Sequence, residues 1–314
     1  MSVQIAPTPG AEASGAIEVL PMSIHAGAEI RGADLSRPLP QAQVRAVRAA
    51  LLRWKVIFFR GQKLDHRTHI AAARQFGETT AGHVVYGSDG EYPQIYSVAK
   101  HRKANRFQGQ VLMRPWSGWH TDITAAINPP AASILRGELV PPYGGDTQFT
   151  NLIAAYDALS PTMRAFVDGL RGVHRFAPPP GVNETPEYRE LMRKRTLVSE
   201  HPIVRVHPET GERALFVSPS FLKSIVGLSA RESQVILEFL WEHIVRPEFT
   251  VRFRWEPGSV AFWDNRATAH LAPRDIFDSD FDRQFYRVTL VGDVPVGVDG
   301  KPSSALEGEA IVPV

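Results

Sequence analysis

The chain has 314 residues, 43% of them hydrophobic and 22% charged, with a formal charge of +2. That balance suits a globular protein in water and gives no electrostatic reason to bind nucleic acid or an anionic membrane. With no cysteine in the sequence, disulfides, thiolate nucleophiles and Cys-ligated metal sites are excluded, and a reducing, cytoplasmic setting fits.

Residues 1–15, rich in Ala, Gly, Pro and Ser, read as a flexible leader without the charged start and apolar run of a signal peptide. Residues 16–314 read as a single domain. IEVLPMSIHAGAEIRGADL reads as one or two short strands broken by Gly, and Gln41–Arg53 as a helix running into the strand KVIFFRG. Asp65 caps a helix over HRTHIAAARQFG, which ends at Gly77. WHTDIT reads as a half-buried strand by its alternation, SILRGELV and DTQFTN as further strands, and Ala154–Leu170 as a helix. HPIVRVHPETGERALFV has the form of a hairpin about PETGE, and Ala230–Val245 that of an amphipathic helix. FTVRFRWEPGSVAFWDN and QFYRVTLVGD are strands again. Two segments, near 101–118 and 177–200, look like lid insertions. Strands at both ends and irregularly spaced helices disfavour a doubly wound parallel sheet and favour a mainly β jelly roll decorated by helices.

Within WHTDIT, His120 and Asp122 stand two apart, so a strand would present an imidazole and a carboxylate on one face. Two His and one carboxylate on one octahedral face is the donor set of O2-activating non-haem Fe(II) centres. Without cysteine, the third ligand must be another histidine. His270, after the strand-to-turn segment VAFWDN, is the best placed. His66 and His69 look like surface residues of a helix, while His174, His201 and His207 flank turns. Further along, Arg283, Phe285, Arg287 and Thr289 share one face of a strand. Two guanidiniums facing inward would require anions, and the hydroxyl of Thr147 in GGDTQFT is available to the same anion.

These pieces resemble the taurine/chlorophenoxyacetate dioxygenase family of Fe(II)- and 2-oxoglutarate-dependent oxygenases, over about Val19 to Val296. The matching motifs are WHTD, PPAASILRG, GGDTQFTN, HPETGERALFV, WDNRATAH and YRVTLVGD. The resemblance implies a double-stranded β-helix, with His120, Asp122 and His270 as iron ligands and with 2-oxoglutarate and O2 as cosubstrates. It implies that Thr147 and Arg283 hold the far carboxylate of 2-oxoglutarate, and that Arg287 and His83 meet a substrate anion. Tyr86, Trp116 and Ile123 are expected to line the pocket. The substrate is expected to be a small organic anion and the assembly a homo-oligomer.

Two departures from the family pattern bear on substrate. Where taurine oxygenases carry an Asp-Asn pair for the amine, this chain has Pro115 and Trp116, and the position after the HxD motif that is usually Phe is Ala125. A roomier, less polar pocket is expected. HPETGER and VTLVGDVP resemble the alkylsulfatase branch, in which hydroxylation beside a sulfate ester releases sulfate and an aldehyde. Tailoring oxygenases of natural-product pathways share the signature. A zinc hydrolase on a similar barrel lacks a base motif here, and a non-catalytic jelly-roll module would leave the paired arginines without work.

Overall fold

A computed structural model describes residues 16–83, 86–88, 90–99, 113–176, 190 and 195–314. The expected leader and most of both expected lid segments lie outside the described residues. The fold is mainly β with helices packed outside. Its largest sheet contains β1 (Glu18–Pro21), β2 (Ala28–Arg31), β3 (Val56–Phe59), β4 (Tyr96–Ala99), β5 (Ala132–Leu139), β13 (Val260–Asp264) and β15 (Gln284–Leu290). Their order is β1-β2-β3-β13-β5-β15-β4, with β2 and β3 parallel and the other pairs antiparallel.

A three-stranded sheet packs against it, made of β6 (Thr147–Asn151), β12 (Thr250–Phe253) and β14 (Thr268–Leu271) in the order β12-β6-β14. Alternation along the strands explains the layering. Val56 and Phe58 of β3, Leu135 of β5, Trp263 of β13 and Phe285 of β15 face inward and pack with Phe149 and Phe253 of the small sheet. Phe58 and Phe253 stack with centroids 3.9 Å apart. The residues between them, Ile57, Phe59, Ile134, Phe262 and Val288, face the other way and pack under α1 (Gln41–Trp54) and α2 (His66–Arg74). With both faces covered, VIFF in β3 is buried throughout.

Two further sheets complete the β structure. One has the order β11-β7-β8-β17, from β7 (Arg171–Arg175), β8 (Val198–Pro202), β11 (Leu222–Ile225) and β17 (Ser304–Glu307); the other is β10-β9-β16, from β9 (Val204–Val206), β10 (Arg213–Leu215) and β16 (Val296–Gly297). The hairpin about PETGE is the β9–β10 pair. The second expected lid must therefore end before Val198, where β8 begins.

Three expectations change. The single helix over Ala154–Leu170 is two, α3 (Leu152–Asp157) and α4 (Pro161–Asp168), because Pro161 cannot continue a helix and Ser160 caps a new one. WHTDIT is not a strand: only His120 makes a bridge, and the chain turns immediately after it. His69 is not on the surface. It is fully buried under β5, with Nε2 3.1 Å from the Ile134 carbonyl oxygen, and burial, aided by Arg136, lowers its pKa to about 3. A last helix, α5 (Ala230–Ile244), opens with a capping box between Ser229 and Glu232.

Candidate active site

His120 and His270 sit directly opposite each other in an isolated antiparallel bridge. The His120 N–H donates to the His270 carbonyl at 3.0 Å and the His270 N–H returns a bond of 2.7 Å. Their rings lie 4.2 Å apart. Thr121 fastens the bridge, accepting nothing from a strand neighbour but donating its hydroxyl to the Thr268 carbonyl at 2.7 Å and its N–H to the Ser218 hydroxyl at 3.2 Å. The chain then turns at Ile123, whose φ of 47° lies where a β-branched residue is rare. Asp122 opens that turn, next to the two imidazoles. One ligand atom from each of His120, Asp122 and His270 lies within 4.8 Å of the others.

The large sheet supplies the hydrogen-bonding partners of Asp122. Ser133 on β5 donates to Oδ2 at 2.7 Å, Asn265 donates to Ser133 at 2.9 Å, and the Trp263 indole N–H donates to Asn265 at 2.9 Å. Arg287 on β15 donates to Oδ1. Burial alone would raise the Asp122 pKa, but Arg287, His270, His120 and the Ser133 hydroxyl together hold it below the usual carboxylate range. His270 moves the other way. Burial, then repulsion from His120, depresses its pKa to about 3 against the pull of Asp122, so its ring is neutral and keeps a lone pair for a metal. For His120 the carbonyl of Gly118 lies 3.0 Å from Nδ1 and can only accept, so the proton sits on Nδ1 and Nε2 is left as the ligand atom. The donor set, its burial and the fixed tautomer fit a divalent transition metal.

Arg283 and Thr147 lie at one edge of the same inter-sheet space. Arg283 is buried, donates from Nε to the Gly145 carbonyl at 3.3 Å, and holds its guanidinium 3.9 Å from the Phe285 ring centroid. Among the described residues no carboxylate is within ion-pair distance of it. Burial lowers its pKa to about 10, with Asp275 and Asp146 only partly opposing. The Thr147 hydroxyl accepts the Trp255 indole N–H at 3.0 Å, which leaves its own hydrogen to donate. A buried guanidinium with no carboxylate at ion-pair distance among the described residues has the charge and donors to pair with a carboxylate from outside.

A line of aromatic rings leads away from the triad. Phe221 lies 6.5 Å from His120, Phe176 stacks 5.7 Å from Phe221, and both His83 and Tyr86 lie under 6 Å from Phe176. His83 is buried, and its Nδ1 accepts the Tyr86 backbone N–H at 3.0 Å, so the proton of the neutral ring is on Nε2. Ile123 belongs to a buried apolar cluster with Ala125, Phe176, Leu197, Phe221 and Ile311. The space expected beside Ala125 is thus already filled, and Ala125 is fully buried. Trp116 departs from expectation as well: its ring sits 6.2 Å from Trp241 of α5 and packs on the helical core.

Residues 18–289 match the family described as taurine catabolism dioxygenase TauD, TfdA family. The chain belongs to that family. It is an α-ketoglutarate-dependent dioxygenase, using Fe(II), 2-oxoglutarate and O2. It is 42% identical to an α-ketoglutarate-dependent sulfate ester dioxygenase of Pseudomonas putida, over 91% of this chain and 93% of the relative. An alkylsulfatase of Acinetobacter baylyi is 37% identical over 91% and 87%. Among solved structures, one from Burkholderia xenovorans titled a putative α-ketoglutarate-dependent taurine dioxygenase is 62% identical, with a TM-score of 0.84 over 94% of this chain and all of that one.

In this dioxygenase the segment WDNR splits its work. Trp263 and Asn265 serve the Asp122 relay, whereas Asp264 is buried between Arg266, His207 and a backbone N–H and never reaches the triad. Burial raises the Asp264 pKa, and Arg266 and His207 overcome that to hold it well below the carboxylate range. Arg266 continues to Glu209, and Glu209 to Arg48. A cavity of about 310 Å³, lined in part by Arg48, Phe76, Glu209, Arg266 and Asp293, opens on this side, away from the metal ligands, and these charges already pair with protein partners. The sequence reading missed Ser133, Asn265, Phe176 and Phe221. Ser133 and Asn265 stand within the motifs PPAASILRG and WDNRATAH, while Phe176 and Phe221 have no sequence signal beyond being apolar.

Proposed function

We propose that the enzyme hydroxylates the carbon bearing the sulfate of an alkyl sulfate ester, giving an unstable product that breaks to sulfate and an aldehyde. The observation that carries this is that Arg287, which pairs with Asp122, and His83 both lie against the Tyr96 ring, 5.2 and 4.9 Å from its centroid, while Phe221 beside His120 and Phe176 beside His83 supply apolar surface. An anion held by these two donors keeps the carbon that bears it next to the metal ligands, with the apolar body along the aromatic rings. The sulfate ester and alkylsulfatase names of two relatives support the same substrate class. The inter-sheet site also supports the jelly-roll reading of the fold.

His120, Asp122 and His270 would hold Fe(II), which together with 2-oxoglutarate and O2 supplies the oxidising power, 2-oxoglutarate leaving as succinate and CO2. The protein's own tasks are positional. Ser133 and Arg287 hold the two oxygens of Asp122 in place, so the carboxylate stays fixed beside the two imidazoles where it would meet the metal. Arg283 and Thr147 anchor the far carboxylate of 2-oxoglutarate. Arg287, already on Asp122, places a positive charge where the substrate's anionic head and the metal site meet. His83 donates to that head, and Tyr86, Ile123, Phe176 and Phe221 exclude water from the apolar body. A cytoplasmic homo-oligomer agrees with this reading, and among the described residues no helix is long and apolar enough to cross a membrane.

A second reading has a specific basis in the 62% identical structure titled a putative taurine dioxygenase. Release of succinate measured side by side on linear alkyl sulfates, linear alkanesulfonates and taurine tests both. Turnover of alkyl sulfates with release of inorganic sulfate, and a weak response to taurine, is the expected result. Taurine turned over as well as any alkyl sulfate would overturn the sulfate ester reading.

A further inference from the structure

The segment from Ile311 to Val314 crosses the described end of the fold as a strap. Asn128 clamps both backbone groups of Ile311: its Nδ2 donates to the Ile311 carbonyl at 2.9 Å, and the Ile311 N–H donates to Oδ1 at 2.7 Å. Pro313 bridges Thr80, the Val314 N–H donates to the Thr79 carbonyl at 2.9 Å, and the Thr79 hydroxyl donates to the Val314 carbonyl at 2.9 Å. Thr80 in turn donates its N–H to the Thr289 carbonyl at 2.9 Å, and the two threonine hydroxyls bond. The strap therefore ties together the turn that follows Asp122, the approach to His83, and the strand that carries Arg287. None of these contacts is needed to hold the triad, whose bridge is secured by Thr121.

What the strap delivers is one side chain. Ile311 is buried in the cluster that contains Ile123 beside Asp122 and the two rings Phe176 and Phe221. Exposed neighbours Val312 and Val314 on the strap bury nothing comparable, so the clamp by Asn128 holds an isoleucine in this cluster and little else.

We propose that Ile311 is a specificity-determining residue, setting how long or bulky an apolar body the pocket accepts. The inference rests on the sulfate ester reading above. It follows from volume: in a close-packed cluster, removing methylenes opens space that a longer substrate can fill, and adding them removes space from it. Each extra buried CH2 of substrate is worth about 0.8 kcal/mol, roughly a fourfold change in affinity.

The test compares wild type with Ile311→Ala, Ile311→Val and Ile311→Phe over linear alkyl sulfates of increasing length and over a matching alkanesulfonate series. Melting curves confirm folding, and Ile311→Val is the variant least able to disturb it. The expected result is a length optimum moved to longer chains in Ile311→Ala, less so in Ile311→Val, and to shorter chains in Ile311→Phe. The ratio of kcat/KM between longest and shortest substrates should change about tenfold, with the KM for 2-oxoglutarate unchanged. Equal length profiles in all four proteins would overturn the inference and leave the sulfate ester reading standing. A wild type inactive on both series would overturn both.

Discussion

His120 and His270 face each other across a two-residue bridge and exchange both backbone hydrogen bonds, at 3.0 and 2.7 Å. Main-chain pairing thus sets the two residues opposite each other, and the His270 ring then packs on Trp263, 4.9 Å away. Replacing either by Ala should leave the bridge, and with it the fold, intact. We expect His120→Ala, Asp122→Ala and His270→Ala each to lose more metal affinity than the about 10–100-fold typical of an outer partner. A calorimetric titration with Fe(II) or Co(II) under nitrogen reads this, and a variant that binds like wild type is no ligand.

Ser133→Ala frees one oxygen of Asp122 while leaving the Arg287 contact. Metal affinity should fall by about 10–100-fold, and Asn265→Ala, one bond further out, should cost less. Ser133→Thr keeps the hydroxyl and should restore most of the loss. Equal affinities in Ser133→Ala and wild type would show that the relay only fills space.

Arg283→Ala should raise the KM for 2-oxoglutarate steeply, because losing one member of a desolvated guanidinium–carboxylate pair costs about 2–5 kcal/mol. Arg283→Lys should recover little, as a point charge cannot reproduce the planar fork. Substrate KM should move far less in either variant. An unchanged 2-oxoglutarate titration would assign Arg283 a purely structural place.

Acid should weaken the fold well before the carboxylates titrate. His69 and His201 are buried neutral, with burial the main cause, and both have pKa values lowered from 6.5 to about 3; His174 is lowered as well. Between pH 6.5 and about 3 the unfolded chain takes up protons that the folded one refuses. Stability is therefore lost as pH falls through that window, by about 1.4 kcal/mol per pH unit for each site. Urea midpoints should hold nearly level from pH 7.5 to about 6.5 and then drop steadily down to 4.5. His201→Gln should start lower and fall less steeply; an equal slope would remove His201 from the account.

Arg266→Ala leaves the Asp264 carboxylate buried with the His207 ring as its remaining side-chain partner. Removing one member of a buried pair costs about 3–5 kcal/mol. We expect a melting point lowered by several degrees with metal affinity nearly unchanged, since Asp264 does not touch the triad. A loss of metal binding as large as that of Ser133→Ala would contradict the separation of the two networks.

Much of the site could be read from residue order because strand periodicity carries it. Arg283, Phe285, Arg287 and Thr289 do turn one face to the space between the sheets, and His120, Asp122 and His270 do converge. The route to convergence was not legible. Strand alternation predicted that His120 and Asp122 project together along a strand, whereas the pairing stops at His120 and a turn opens at Asp122, and no residue type there announces such a turn. Burial of His69 was hidden because an amphipathic helix shows its period but not what covers it. Phe176 and Phe221 escaped notice because apolar residues at element ends look alike until a fold sets them side by side. Ala125 suggested a hollow only because its filling comes from residues far along the chain.

Asp122 and Arg287, which touch in the folded protein, stand 165 residues apart in sequence. While the chain is being synthesised, the HxD motif therefore emerges long before the strand that neutralises its carboxylate, and before the second histidine. A nascent chain carries only two of the three ligands, on a turn with no partner to hold its strained backbone. Iron capture has to wait until β14 and β15 have closed onto the sheets. The complete ligand set is thus a product of long-range folding, assembled only when β14 brings His270 opposite His120.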